Sequence, residues 1–184
     1  GASADRTEGY SYRELWQFCL SRRKYLSYHF IAYLCLSIQG FAFLTWIVEF
    51  FVRIHGWTRT EIGLTYGSIA LIVGIMGSIG AGYYAGYWLA KGRADAPMRL
   101  AFYGTIGLGP LAVIMPLVSS DWLAIAIIIP ITFFMAMPPG LSNAALQAIS
   151  PNRLRGQMIA VYLICVSFLS YLFAPLIIGL MNDY

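Results

Sequence analysis

Five stretches of the chain carry no Asp, Glu, Lys or Arg: residues 25–48, 62–90, 100–120, 122–152 and 156–182. A helix crosses the hydrocarbon core of a bilayer with about 20 mostly apolar residues at about 1.5 Å each, and every stretch is long enough. Of the 184 residues, 59% are hydrophobic and 11% charged, and the mean hydropathy is +0.69. Soluble domains are about a quarter charged, so an ordinary soluble enzyme, a nucleic-acid-binding module and a disordered segment are excluded. Core helices of a soluble fold are shorter, and a chain of this length could not enclose so much apolar surface. Runs such as Leu123–Pro130 lack the alternation of a membrane β-barrel strand. The expected fold class is an all-α membrane protein with five transmembrane helices, at about 27–51, 62–90, 99–119, 122–148 and 155–181.

Lys and Arg are retained on the cytoplasmic side of membrane proteins. Arg6, Arg13, Arg22, Arg23 and Lys24 precede the first span, Lys91, Arg93 and Arg99 follow the second, and Arg153 and Arg155 follow the fourth. The opposite connections hold only Arg53 and Arg59. This asymmetry places the N-terminus in the cytoplasm. The chain opens without Met and without a signal peptide, and ends directly after an apolar window, so it is expected to be part of something longer.

Residues 1–26 are expected to form a cytoplasmic segment with an amphipathic helix at the interface. Trp16 and the basic residues suit lipid headgroups, and Ser11 with Glu14 fits a capping box. In the second span Gly63 and Gly67, then Ser78, Gly82 and Gly86, recur every four residues. Such a face lets another helix approach closely or slide. The fourth span carries Pro130 and Pro138-Pro139-Gly140, where lost backbone donors predict a bend or opening beside a protein wall or wet cavity. Glu49 ends the first span, four residues before Arg53, and reads either as a solvated carboxylate or as a proton-handling group. The middle of every span lacks an ionisable side chain other than Cys and Tyr, so no buried proton relay is expected. Cys19, Cys35 and Cys165 lack metal-ligand spacing, and neither a phosphate-binding loop nor a catalytic motif is visible. No enzyme activity, metal or cofactor is expected.

The segment Ser150-Pro-Asn-Arg153-Leu-Arg155-Gly-Gln157, followed by Ala160-Val-Tyr162-Leu163, resembles the connection before the eleventh helix of Spinster-like transporters in the major facilitator superfamily. Trp46 with Phe50-Phe-Val-Arg53-Ile-His55-Gly56 is similar to the end of that family's seventh helix, and Pro175 with the closing Asn182-Asp183-Tyr184 adds to the match. Lys91, Gly92, Arg93, Asp95 and Arg99 follow Gly82 as in the superfamily's basic cytoplasmic loop, although Gly86 and Tyr87 stand where Asp and Arg are usual. Val48 and Glu49 replace the usual Pro-Ala.

The resemblance implies most of one six-helix half, helices seven to eleven of twelve, of a secondary transporter in a bacterial inner membrane. Its partners would be the N-terminal six-helix half and last helix of the same chain, membrane lipid and a small-molecule substrate, with no nucleic acid. Transport would proceed by alternating access around a midplane site. Gln39, Thr45, Trp46, Tyr66, Phe133, Met137 and Asn143 are the expected cavity residues, suited to an amphipathic or lipid-like solute. Glu49, Arg153 and Arg155 are expected at a proton site or gate. Gly82, Gly86, Pro138, Pro139 and Gly140 are expected at packing and hinge positions. The rival reading is a receptor or assembly subunit reusing the fold; an ion channel would need a filter that the spans do not show.

Overall fold

The computed structural model describes residues 12–182, and every regular element among them is helical. A short helix, α1 (Tyr12–Ser21), precedes five long ones: α2 (Arg23–Ile54), α3 (Arg59–Ala90), α4 (Ala96–Ile114), α5 (Asp121–Ile149) and α6 (Arg155–Asn182). A 3-10 turn, Met115–Leu117, extends α4. All five long helices are apolar and long enough to cross a membrane. They run beyond the charge-free windows because charged side chains sit in their end turns, where water and headgroups solvate them.

Local chemistry sets the ends. Gly56 takes a left-handed turn (φ 71°), bringing the Trp57 N–H to the Phe51 carbonyl at 3.2 Å. Thr58 then caps α3: its hydroxyl accepts from the Glu61 N–H, and the Glu61 carboxylate accepts from the Thr58 N–H. Gly92 (φ 79°) ends α3 in a Schellman turn, with Arg93 N–H bonded to Trp88 and Gly92 N–H to Leu89. Pro97 occupies the first turn of α4, where its missing N–H costs nothing. Ser120 caps α5, and Pro151 follows its end. The capping role of Ser11 and the closing Asp183-Tyr184 lie outside the described residues.

The helices pack as two units. α5 lies against α3 and α4, while α2 lies against α6. In the first unit backbones nearly touch: a Cβ on Gly77 would stand 2.5 Å from the Phe133 carbonyl oxygen, and Ala81 and Ala85 continue that face of α3 one and two turns on. Gly104 of α4 faces Met137, and Gly107 faces the Phe134 ring. Gly82 and Gly86 take no part in this seam: both are exposed, and a Cβ on either would meet nothing within 4 Å. One residue step turns the helix by roughly 100°, so Gly82 looks away from the seam that Ala81 enters.

The proline-rich helix α5 remains one continuous helix. No opening occurs at Pro138-Pro139, which corrects that part of the expectation. Pro138 cannot donate to the Phe134 carbonyl; that oxygen instead faces α4, 3.7 Å from where a Gly104 Cβ would stand. The Ser78 hydroxyl of α3 bonds the Ala136 carbonyl at 3.2 Å. The Phe134 carbonyl freed by Pro138 thus faces neighbouring protein, as lipid requires.

Candidate functional site

A cavity of about 380 Å³ lies at mid-height between the two units. Gln39 and Ser37 of α2, Met135, Pro138 and Pro139 of α5, and Ser167 of α6 contribute to its wall, with Tyr66 reaching in from α3. The lining is mainly apolar with a few hydroxyl and amide groups, the usual make-up of a small-molecule site.

Of the seven expected lining residues, Gln39 and Tyr66 do line this cavity. Phe133 and Met137 do not. They turn toward α3 and α4, where Met137 is buried with Ala81, Ala85 and Leu141, and Phe133 packs against that cluster. Met135, two residues from each, takes the cavity position because a two-residue step on a helix reaches nearly the opposite face. Thr45 is exposed and bonds its own helix at Phe41 O (3.0 Å), and Trp46 is 44% exposed, so neither joins this wall. Asn143 lies one turn beyond Pro139, half-buried, with its Oδ1 buried and unpaired. Gly140 is exposed beside the prolines, and a Cβ there would meet nothing within 4 Å.

Two joints bracket the cavity. At the end bearing Trp57, Ile47 and Phe51 of α2 are fully buried against Ile62 of α3 and Ile128 of α5. Phe51 makes ring contacts with Phe50, His55 and Trp57 at 5.0–5.5 Å. The Trp57 indole N–H donates to Asp121 Oδ2 at 3.2 Å, tying the α2–α3 turn to the start of α5. Glu49 stands here, its carboxylate paired with Arg59 at 2.7 Å and Arg53 at 3.4 Å. Its geometry is that of an ion pair between the α2 end and the α3 start, away from the cavity wall.

The other end, which carries the Lys91–Arg99 loop and Arg153–Arg155, closes through polar groups centred on a histidine that the sequence did not single out. His29 of α2 is 4% exposed, and its Nε2 lies 3.0 Å from Ser142 Oγ of α5. That hydroxyl lies 2.6 Å from the Tyr162 hydroxyl of α6. Tyr25 and Tyr162 stack on the imidazole at 6.0 and 5.4 Å, and Tyr33 stacks on Tyr162 at 5.5 Å. An imidazole inside an apolar window was the available signal, but His29 and Ser142 are 113 positions apart. Helix α1 lies beneath this joint, its Leu15, Phe18 and Cys19 packed on Leu146, Leu154 and Met158, while Trp16 stays exposed. The expected interfacial helix is therefore also docked to the bundle.

Arg155 donates to the Ser150 carbonyl at 3.3 Å and steadies the α5–α6 turn, whereas Arg153 is exposed. In the α3–α4 loop Asp95 accepts from Arg99, and that hydrogen bond holds the Asp95 carboxyl below its ordinary range. An acid–base pair thus exists in the loop although Gly86 and Tyr87 stand where the superfamily usually has Asp and Arg.

No curated protein matches the chain, and no solved structure does. The profile of the Major Facilitator Superfamily matches residues 2–175. That match covers α1 to α5 and most of α6 of a multi-pass helical membrane protein; the chain belongs to the Major Facilitator Superfamily.

Proposed function

We propose that this chain is part of a secondary transporter of the Spinster-like branch, moving a small organic, amphipathic or lipid-like solute by alternating access. The observation that carries the reading is the mid-height cavity between two separately packed units, walled by Gln39, Ser37, Ser167, Tyr66 and the Pro138-Pro139 segment. Apolar and Met-bearing surface with a few polar groups suits a solute that is largely hydrocarbon with one polar end. Helix packing that leaves a cavity between units is also what rocking about a midplane site needs. The basic end is read as cytoplasmic from its Lys and Arg excess.

The exposed face with Gly63, Gly67, Gly82 and Gly86 is open in this chain. Its smoothness favours a sliding contact with another helical bundle, read here as the six-helix half of the same protein. A further helix of that protein is read as covering the lipid-ward side of α2 and α6. Membrane lipid surrounds the assembly in a bacterial inner membrane.

The test is uptake and efflux by the complete protein in proteoliposomes, screening lysolipids, sugar acids and hydrophobic drugs with and without a pH gradient. A saturable flux, weakened at least about tenfold in Gln39→Ala or Ser167→Leu, is expected. Absence of flux for every solute, from folded protein, would move the reading to a receptor or assembly subunit.

A further inference from the structure

The sequence shows no carboxylate or amine in mid-span, yet the fold buries an imidazole where three helices meet. His29 is buried where α2, α5 and α6 meet and borders a cleft beside α1. We propose that His29, Ser142 and Tyr162 form a proton-binding site whose occupancy controls whether α2 stays joined to α5 and α6 at the basic end. The proposal deepens the carrier reading by naming the proton as its coupling ion, and rests on that reading for the consequence in transport.

In one of its two neutral tautomers His29 can only accept from Ser142, and gain of a proton reverses that bond. In the neutral tautomer whose proton is on Nδ1, Nε2 accepts from the Ser142 hydroxyl, which is then free to accept from Tyr162. With imidazolium, Nε2 can only donate, so Ser142 must turn its proton toward Tyr162, and the Tyr162 hydroxyl loses its acceptor. The charge itself also lacks a partner. The groups around it are Tyr25 and Tyr33 of its own helix, Tyr162 and Cys165 of α6, Cys19 of α1 and the Arg23 guanidinium; α5 offers only the neutral Ser142. Among the described residues no carboxylate contacts the imidazole. A buried cation without a counter-ion is strongly disfavoured unless it reaches water or an anion.

An exit exists. A cleft of about 400 Å³ opens beside His29 between α1, α2 and α6, lined by Leu15, Phe30, Met158 and Val161 with Arg23 and Ser27 among its polar members. A protonated His29 moving into this cleft leaves the Ser142–Tyr162 pair of α5 and α6 without its hydrogen bond to α2. It also removes the His29–Tyr162 stack, one of three ring contacts between α2 and α6 there, leaving those of Phe30 and Tyr33 on Tyr162. Protonation and opening are thus one linked step, and loss of the proton closes the joint again.

Cys19 reports on this joint without any substrate. Its thiol lies 3.7 Å from Met158 Sδ, one turn of α6 before Tyr162, and is half-buried. The experiment follows methanethiosulfonate modification of Cys19 in the complete protein, with Cys35→Ser and Cys165→Ser, between about pH 8 and about pH 5. Each rate is divided into that of the detergent-unfolded protein at the same pH, which cancels the thiolate fraction. The protection so defined is expected to fall by up to about tenfold per pH unit through the titration, the limit for one proton per opening. In His29→Gln it should be independent of pH. In Ser142→Ala it should be low at every pH, because the partner is gone while the imidazole remains. A pH-independent protection in the parent, or an unchanged pH dependence in His29→Gln, overturns the proton site. Because this readout needs no flux, a failed transport screen with a steep, His29-dependent protection would sink the carrier reading and leave the proton site standing.

Discussion

Helix α5 meets its neighbours in two ways. Against α3 and α4 it packs backbone to backbone: Gly77 sits on the Phe133 carbonyl, and Gly104 and Gly107 admit Met137 and Phe134. Against α2 and α6 it is joined by side chains, through the Ile47–Phe51 cluster at one end and the His29–Ser142–Tyr162 chain at the other. The first seam has no slack, because a close-packed backbone contact has one low-energy arrangement. The second can rearrange by moving rotamers. A carrier needs both kinds, a rigid unit to move and a joint about which it moves.

Four substitutions would break or sharpen this contrast. Phe51→Ala empties the fully buried centre of the apolar joint. It should lower stability by about 3 kcal/mol, at the low end for core Phe because lipid weakens the transfer contribution while the cavity cost remains. Thermal unfolding in detergent would check this, and a loss under about 1 kcal/mol would mean that the joint is not held there.

Gly77→Ala probes the rigid seam and is expected to cost about 2 kcal/mol, since the added methyl meets a main-chain oxygen that cannot swing aside. Its control is Gly82→Ala, which meets open space and should be neutral or stabilising by up to about 1 kcal/mol from helix propensity alone. Equal effects at the two positions would erase the distinction between seam and open face.

The smallest effect belongs to Glu49→Gln. Both arginine partners are largely solvent-exposed, so the pair is screened and its loss should cost less than about 1 kcal/mol. The pH profile of transport should also be unchanged, because Glu49 is committed to Arg53 and Arg59 away from the cavity wall. A shifted profile would return Glu49 to the list of proton-handling groups.

Much of the fold was legible in the residues. Charge-free windows gave the number of spans, because charge content acts on each segment separately; the stops and starts at Gly56, Thr58, Gly92, Pro97 and Ser120 came from the structure. The glycines of α3 were harder. Their spacing pointed to a packing face, but the seam runs along Gly77, Ala81 and Ala85, since small size suits both a tight contact and an open surface. Phe133 and Met137 were assigned to the cavity on residue type, while Met135 has the position; periodicity does not label faces on a helix that is apolar all round.

Composition and charge placement determined by themselves that this chain crosses a membrane five times, because the cost of burying charge in hydrocarbon acts on each segment separately. Which faces meet, and that His29, Ser142 and Tyr162 become one group, was decided only by tertiary structure. Hydrogen bonds and stacked rings between separate helices depend on how those helices are rotated and offset, and no local pattern along the chain carries that information.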